Sequence, residues 1–215
     1  MKKIAKKIFY SKYLNLVTPI LSIIIPFIGG YINFLKSKIL PASYFSYLKF
    51  RLGLSKTYWP KDKTCLVAHP RRIYVGINSK VGRPGSYIQG AGKVYIGDYV
   101  RFAPNIGILS SNHDLYDRDV YNNKPIKIGD YSWVGMNATI MSGVELGVCT
   151  IVGAGAVVTK SFPEGFCVIA GNPAKVIKYL DKEKFKPWRY PVEFYGYIPK
   201  EKFEKVRKKY ILNDL

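Results

Sequence analysis

The chain has 215 residues, enough for one domain with a full core plus extensions and too few for a second large domain. Hydrophobic residues make up 48% and charged residues 22% of it, which excludes a disordered chain, although 18 Tyr and 19 Gly need a local explanation. Lys and Arg outnumber Asp and Glu by 34 to 14, and a net charge of +20 implies anionic company such as nucleic acid, acidic lipid head groups or a polyphosphate. Cys65, Cys149 and Cys167 are odd in number and lack metal-type spacing, which argues against a disulfide framework and for a reducing, cytoplasmic setting.

Residues 1–64 read as a basic and apolar extension. Lys2, Lys3, Lys6, Lys7 and Lys12 precede a stretch from Tyr13 to Leu35 without any charge. No small-x-small cleavage site follows, so a secretory signal is rejected. The stretch is long enough for one membrane span, but Pro19, Pro26 and Gly29-Gly30 interrupt it. Lys36, Lys38, Lys49, Arg51, Lys56, Lys61 and Lys63 then alternate with Tyr44, Phe45, Tyr47, Leu48 and Phe50, as expected of a segment lying on an anionic membrane surface at the inner face of the cell membrane. Helices packed on the chain's own domain or on a neighbouring subunit are the alternative.

Residues 65–178 carry an internal repeat. Steps of six from Ile128 reach Val134, Ile140, Leu146, Val152 and Val158, all aliphatic, and the following residue is mostly glycine. Four places after each aliphatic stand Ser132, Ala138, Val144, Thr150, Ala156 and Phe162, nearly all small or β-branched. A period of six fits neither a helix nor a simple strand and predicts short strands joined by tight corners. Three such sides close a prism of about 18 residues per turn, rising roughly 4.8 Å, with the aliphatic residues stacked inside. The register continues upstream through Ile96, Phe102 and Ile108, slips between Val81 and Ile96, and breaks again between Ile108 and Ile128. Residues 110–127, with His113, Asp114, Asp117, Arg118, Asp119, Asn122 and Asn123, are too polar for a core and are expected to protrude as a loop.

The stretch from Ile96 to Lys178 resembles the hexapeptide-repeat acetyltransferases of the galactoside and maltose kind. The matching elements are Ile96-Gly97-Asp98, Ala103-Pro104-Asn105, Ser111-Asn112-His113-Asp114, Pro125 to Asp130, Trp133-Val134-Gly135, Gly153 to Lys160 and Ala170 to Lys175. The resemblance implies a mainly β chain built on a left-handed parallel β-helix, assembled as a homotrimer with sites in the clefts between subunits. It also implies acetyl-CoA as co-substrate and a sugar or lipid-linked glycan as acceptor, O-acetylation being expected before N-acetylation.

Acyl transfer to a hydroxyl needs a group that removes its proton, and an imidazole suits neutral pH. Of the two histidines, His113 lies in the loop where the family places its base, whereas His69 stands in His69-Pro70-Arg71-Arg72 ahead of the regular turns. Asp114, Asp117 or a backbone carbonyl is expected to orient the ring. By the same resemblance, the N–H of Met136 stabilises the developing oxyanion and Trp133 flanks the pantetheine arm, although Trp133 also fits a subunit seam. Gly153, Ala154, Gly155 and Ala156 leave room for that arm, and Thr159, Lys160, Lys175 and Lys178 sit where the family meets the nucleotide phosphates. Asn105 and Asn112 are the acceptor-side candidates. Gln89 joins them as the nearest equivalent of the family's substrate-holding asparagine, a departure that leaves the sugar open.

Residues 179–215 turn aromatic and basic, with Phe185, Trp188, Tyr190, Phe194, Tyr195 and Tyr197 before a short final helix. They are expected to strap the open end of the β-helix, since an exposed last turn invites edge pairing. A γ-class carbonic anhydrase would need three metal-binding histidines where two exist, so no metal is expected. No nucleic-acid motif accompanies the charge, and no nucleic-acid partner is expected. A non-catalytic β-helix scaffold is the rival from another class.

Overall fold

A computed structural model of the chain describes residues 28–39 and 43–212. Their centre is a parallel β-solenoid with three flat faces. The first face stacks β1 (Leu66–Ala68), β3 (Tyr87–Gln89), β6 (Gly107–Leu109), β11 (Thr139–Ile140) and β14 (Val157–Val158). The second stacks β2 (Ile73–Val75), β4 (Val94–Ile96), β9 (Ile126–Ile128) and β12 (Glu145–Leu146). The third stacks β5 (Arg101–Phe102), β10 (Trp133–Val134), β13 (Ile151–Val152) and β15 (Cys167–Gly171), with β16 (Ala174–Tyr179) folded back antiparallel on β15.

Each face sends one column of apolar side chains inward. Ile88, Ile108, Ile140 and Val158 register on the first face, Val75, Ile96, Ile128, Leu146 and Phe162 on the second, and Phe102, Val134, Val152 and Ile169 on the third. All are buried, and each contributes about 1.5–3 kcal/mol of apolar transfer. Glycine follows the inward residue on the second face because successive turns touch there. A Cβ on Gly129 would lie 2.5 Å from the backbone carbon of Gly147, and one on Gly147 would lie 2.2 Å from the Pro163 carbonyl oxygen.

The slip upstream of Ile96 is a longer turn. Leu66 pairs with Tyr87 and Val75 with Ile96, both 21 residues apart, whereas Lys127 pairs with Glu145 and Thr139 with Val157 at 18. The break after Ile108 is an insertion. Val94 pairs with Ile126, 32 residues on, and the extra chain folds as an antiparallel hairpin of β7 (Ser111–His113) and β8 (Tyr121–Asn123). The protruding part is narrower than 110–127, because Ser110 and Ile126 are buried at its base.

At the corner between the second and third faces, Asn78, Tyr99, Tyr131, Cys149 and Phe166 all adopt left-handed backbone. The N–H of Tyr99, Tyr131, Cys149 and Phe166 each bonds a carbonyl of the preceding turn at 2.7–2.8 Å. Their side chains line the seat of the carboxyl-terminal segment. Phe185 packs between Phe166 and Tyr131, Trp188 lies 5.0 Å from Tyr131, and Tyr190 lies 6.0 Å from Tyr99. Tyr99 donates to Glu193 at 2.8 Å, and the Asn78 side chain bonds the backbone of Val192 and Phe194. The strap thus does not simply lid the last turn. It runs back along one corner to the first, where β17 (Phe194–Tyr195), β18 (Ile198–Pro199) and a helix follow.

Three helices cover that amino-terminal end. In α1 (Ile28–Lys36) and α2 (Tyr44–Arg51), Phe34, Tyr47 and Phe50 pack with Tyr197, while α3 (Lys200–Tyr210) buries Phe203 against Tyr58, Tyr74 and Tyr195. Residues 28–35 of the uncharged stretch therefore pack on their own domain, and the part from Tyr13 to Phe27 lies outside the described residues. No described helix is long and apolar enough to cross a membrane. Tyr58 joins the helices to the solenoid. Its buried hydroxyl donates to the Val75 carbonyl at 3.0 Å and accepts from the Val75 N–H at 2.6 Å. Tyr58→Phe leaves both backbone groups without this partner and is expected to cost about 1–3 kcal/mol, read from the urea midpoint at unchanged slope.

Candidate active site

The inserted hairpin carries His113 on its exposed end. Strand alternation sorts its side chains into two sets. Asn112 pairs in register with Asn122, whose amide donates to Asp114 Oδ2 at 3.2 Å, while His113 registers with Tyr121 and their rings lie 4.5 Å apart. Asp114 and Asn112 accordingly belong to one side of the hairpin and His113 to the other. Nδ1 of His113 lies 2.6 Å from the Arg118 carbonyl oxygen, so of the three expected orienters it is a backbone carbonyl, not Asp114 or Asp117, that holds the ring. A carbonyl only accepts, so Nδ1 carries the proton in this bond and Nε2 carries the lone pair. Asp114 instead shapes the turn. It accepts from the N–H groups of Tyr116 and Asp117, and these bonds, Tyr116 first, hold its carboxyl below the ordinary value. A lowered carboxyl contributes above its unfolded range, so this turn loosens as the pH falls into the acid region.

Gln89 supports the hairpin. Its Oε1 accepts from the Ser111 N–H at 3.0 Å, and its carbonyl accepts from the Ser110 hydroxyl at 2.5 Å. The Gly92 N–H donates to that same hydroxyl at 2.9 Å. A Cβ on Gly92 would fall 2.0 Å from the Ser110 carbonyl oxygen and 2.7 Å from Lys124 backbone, so only glycine lets the hairpin base close. Ser110, Gly92 and Lys124 were not singled out by the sequence. The pair Gly90 and Gly92, facing a break in the repeat, is the signal that marks them.

The remaining candidates sit along other edges. Trp133 opens β10 on the third face, exposed and flanked by Arg101 and Ile151. Met136 follows at the corner leading to the first face. The N–H groups beside it, those of Gly135 and Asn137, donate to Val152 and Pro104, while among the described residues no backbone carbonyl receives its own. Gly155 stacks over this corner, its N–H bonding the Met136 carbonyl at 2.8 Å, and a Cβ there would meet nothing within 4 Å. The edge formed by Met136, Ala154 and Gly155 is thus exposed, whereas Ala156, expected to leave room beside them, points into the core and is fully buried. Asn105 is the left-handed residue at the same corner one turn earlier, with φ 59°, at the opposite end of β6 from the hairpin. Thr159 and Lys160 are exposed after β14, and Lys175 and Lys178 are exposed on β16, opposite Ala170 and Val168.

Within one chain these parts do not converge. His113 leaves the end of the first face and Met136 its beginning, separated by one side of the prism, roughly 20 Å for six extended residues. Among the described residues no three His, Cys, Asp or Glu side chains gather as metal ligands.

Residues 125–160 match the bacterial transferase hexapeptide (six repeats) family model. Curated protein sequences give no match. Among solved structures, the chain is similar to a maltose O-acetyltransferase from Clostridium difficile 630 at 28% identity and a TM-score of 0.50, covering 70% of this chain and 83% of that one. A galactoside acetyltransferase in complex with coenzyme A shares the fold at 23% identity and a TM-score of 0.56, covering 74% and 85%. A hexapeptide-repeat acetyltransferase from Vibrio cholerae O1 biovar eltor, complexed with acetyl coenzyme A, does so at 22% and 0.50, covering 70% and 86%. The repeat of six, the three-faced solenoid and these likenesses together identify the chain as a hexapeptide-repeat protein similar in fold to the maltose and galactoside acetyltransferases.

Proposed function

We propose that this chain transfers the acetyl group of acetyl-CoA to a sugar hydroxyl, with Nε2 of His113 as the base. The observation that carries the reading is the His113–Arg118 bond, which leaves an oriented imidazole on a rigidly based hairpin of a solenoid whose relatives in structure are acetyltransferases. Acetyl-CoA, when bound, supplies the thioester carbonyl. Nε2 takes the proton of the acceptor hydroxyl as its oxygen attacks that carbonyl, and afterwards delivers the proton to the departing sulfur. The Met136 N–H donates to the carbonyl oxygen as negative charge builds on it. Trp133, Gly153, Ala154 and Gly155 line the thin arm, while Thr159, Lys160, Lys175 and Lys178 meet the phosphates. Because His113 and Met136 stand at opposite ends of one face, the complete site lies between the hairpin of one chain and the corner of a second, which a homotrimer supplies three times. Gln89 and Asn112 act through the hairpin rather than on the sugar.

The direct test is release of free thiol from acetyl-CoA with a panel of nucleotide sugars and lipid-linked glycans. Acceptor-dependent release, with an ester rather than an amide in the product, supports the reading. A chain that binds no coenzyme A and releases no thiol with any acceptor is a scaffold.

A further inference from the structure

A cavity of about 530 Å3 opens at the amino-terminal end of the solenoid, where the chain after α2, the 3-10 turn Pro70–Arg72 and the end of α3 meet. Lys56, Arg71, Arg72 and Lys209 line it together with His69, and no carboxylate among the described residues does. Elsewhere the chain pairs its cations where an acid is in reach, as in Lys127–Glu145, Lys184–Asp181 and Lys200–Glu193. None of the four cavity cations enters an ion pair among the described residues.

The cavity is also held in shape. The Leu212 N–H bonds the Arg71 carbonyl at 3.0 Å, tying the chain after α3 to the 3-10 turn, and Arg72 Nη1 donates to the Ala91 carbonyl at 2.7 Å. His69 enters the turn in left-handed backbone, and Gly53, at φ 73°, passes close to Lys209. Like charges brought together on fixed backbone await an anion. A volume in the range of small-molecule sites is far too large for one phosphate, and the aliphatic and aromatic surfaces of Pro70, Tyr210 and Leu212 offer nothing to an inorganic ion.

We propose that this cavity binds a phosphate-bearing amphiphile, the phosphate or diphosphate among Lys56, Arg71 and Lys209 and the apolar portion along Pro70, Tyr210 and Leu212. The proposal does not rest on acetyl transfer, since none of these residues belongs to the catalytic arrangement.

The test is calorimetric titration of the full chain with geranyl diphosphate, geraniol and inorganic pyrophosphate. One equivalent of geranyl diphosphate is expected to bind, with geraniol and pyrophosphate at least about tenfold weaker. Arg71→Glu with Lys209→Glu is expected to weaken geranyl diphosphate at least about tenfold, whereas Lys182→Glu with Lys186→Glu, the same charge change on the strap, leaves it unaltered. Equal losses in both double variants mean general surface attraction and overturn the proposal, as does unaltered binding in the first. Displacement of geranyl diphosphate by coenzyme A would assign the cavity to the co-substrate and overturn it too. Sedimentation with vesicles distinguishes the two sources of such a head group. Competition by phosphatidylglycerol but not phosphatidylcholine vesicles assigns it to the bilayer, and its absence assigns it to a phosphorylated solute, the site standing in both cases.

Discussion

Replacing His113 by alanine is expected to lower acetyl-transfer turnover by at least about 10², the lower end of what a positioned general base contributes, while leaving coenzyme A affinity nearly unchanged. The ring is exposed and its structural bond is a single one to the Arg118 carbonyl, so its removal leaves the solenoid and its edges intact. Turnover is read by thiol release at saturating acetyl-CoA, and affinity by calorimetry with coenzyme A. Loss confined to turnover supports the assignment. Turnover retained within a factor of a few removes His113 from the reaction, and loss of both quantities means the hairpin helps to hold the co-substrate.

Phe203→Ala should give the largest loss of stability among single truncations outside the solenoid, about 3–5 kcal/mol. The side chain is fully buried, stacks on Tyr195 with ring centroids 3.9 Å apart and 14° between planes, and touches Tyr58 and Tyr74 from the solenoid side. Tyr74 and Tyr195 stand on short strands and Tyr58 is held by its hydrogen bonds to Val75, so these rings cannot collapse into the space left behind. Urea unfolding of the variant should show the midpoint lowered with the transition still single. A shift below about 1 kcal/mol would mean that α3 is only loosely attached.

The central turns were readable because each side from Ile128 to Val158 has the same length, one inward aliphatic and one small residue at the corner. That regularity ends where sides lengthen. The seven-residue and eight-residue sides around Ile88 keep the same inward column but destroy the period, so Ile88 and Val94 carried no signal. The uncharged stretch from Tyr13 to Leu35 looked membrane-like by composition, yet Phe34 finds its apolar partners in Tyr47, Phe194 and Tyr197, two of them some 160 residues away. For the site, the polarity of residues 110–127 marked the protruding segment, and the resemblance of that loop to the one where the family places its base marked His113. Its orienting partner stayed open among Asp114, Asp117 and a backbone carbonyl, since a main-chain carbonyl has no residue type, until the hairpin placed Nδ1 against the Arg118 carbonyl. Gln89 was open for a related reason: a polar side chain near a base reads equally well as a substrate contact or a strut, and its bond to the Ser111 N–H became visible only in the fold.

The return of the strap along the Tyr99–Tyr131–Phe166 corner changes how the molecule should come apart. A solenoid in which each turn knows only its neighbours can fray from either end in steps, like a zipper. Here the residues that leave the final turn are locked onto Asn78 in the first one, so opening either terminus strips aromatic cover from the turns between. Hydrogen exchange across the turns should therefore be uniform rather than graded from the ends, with one all-or-none unfolding event in place of sequential unzipping.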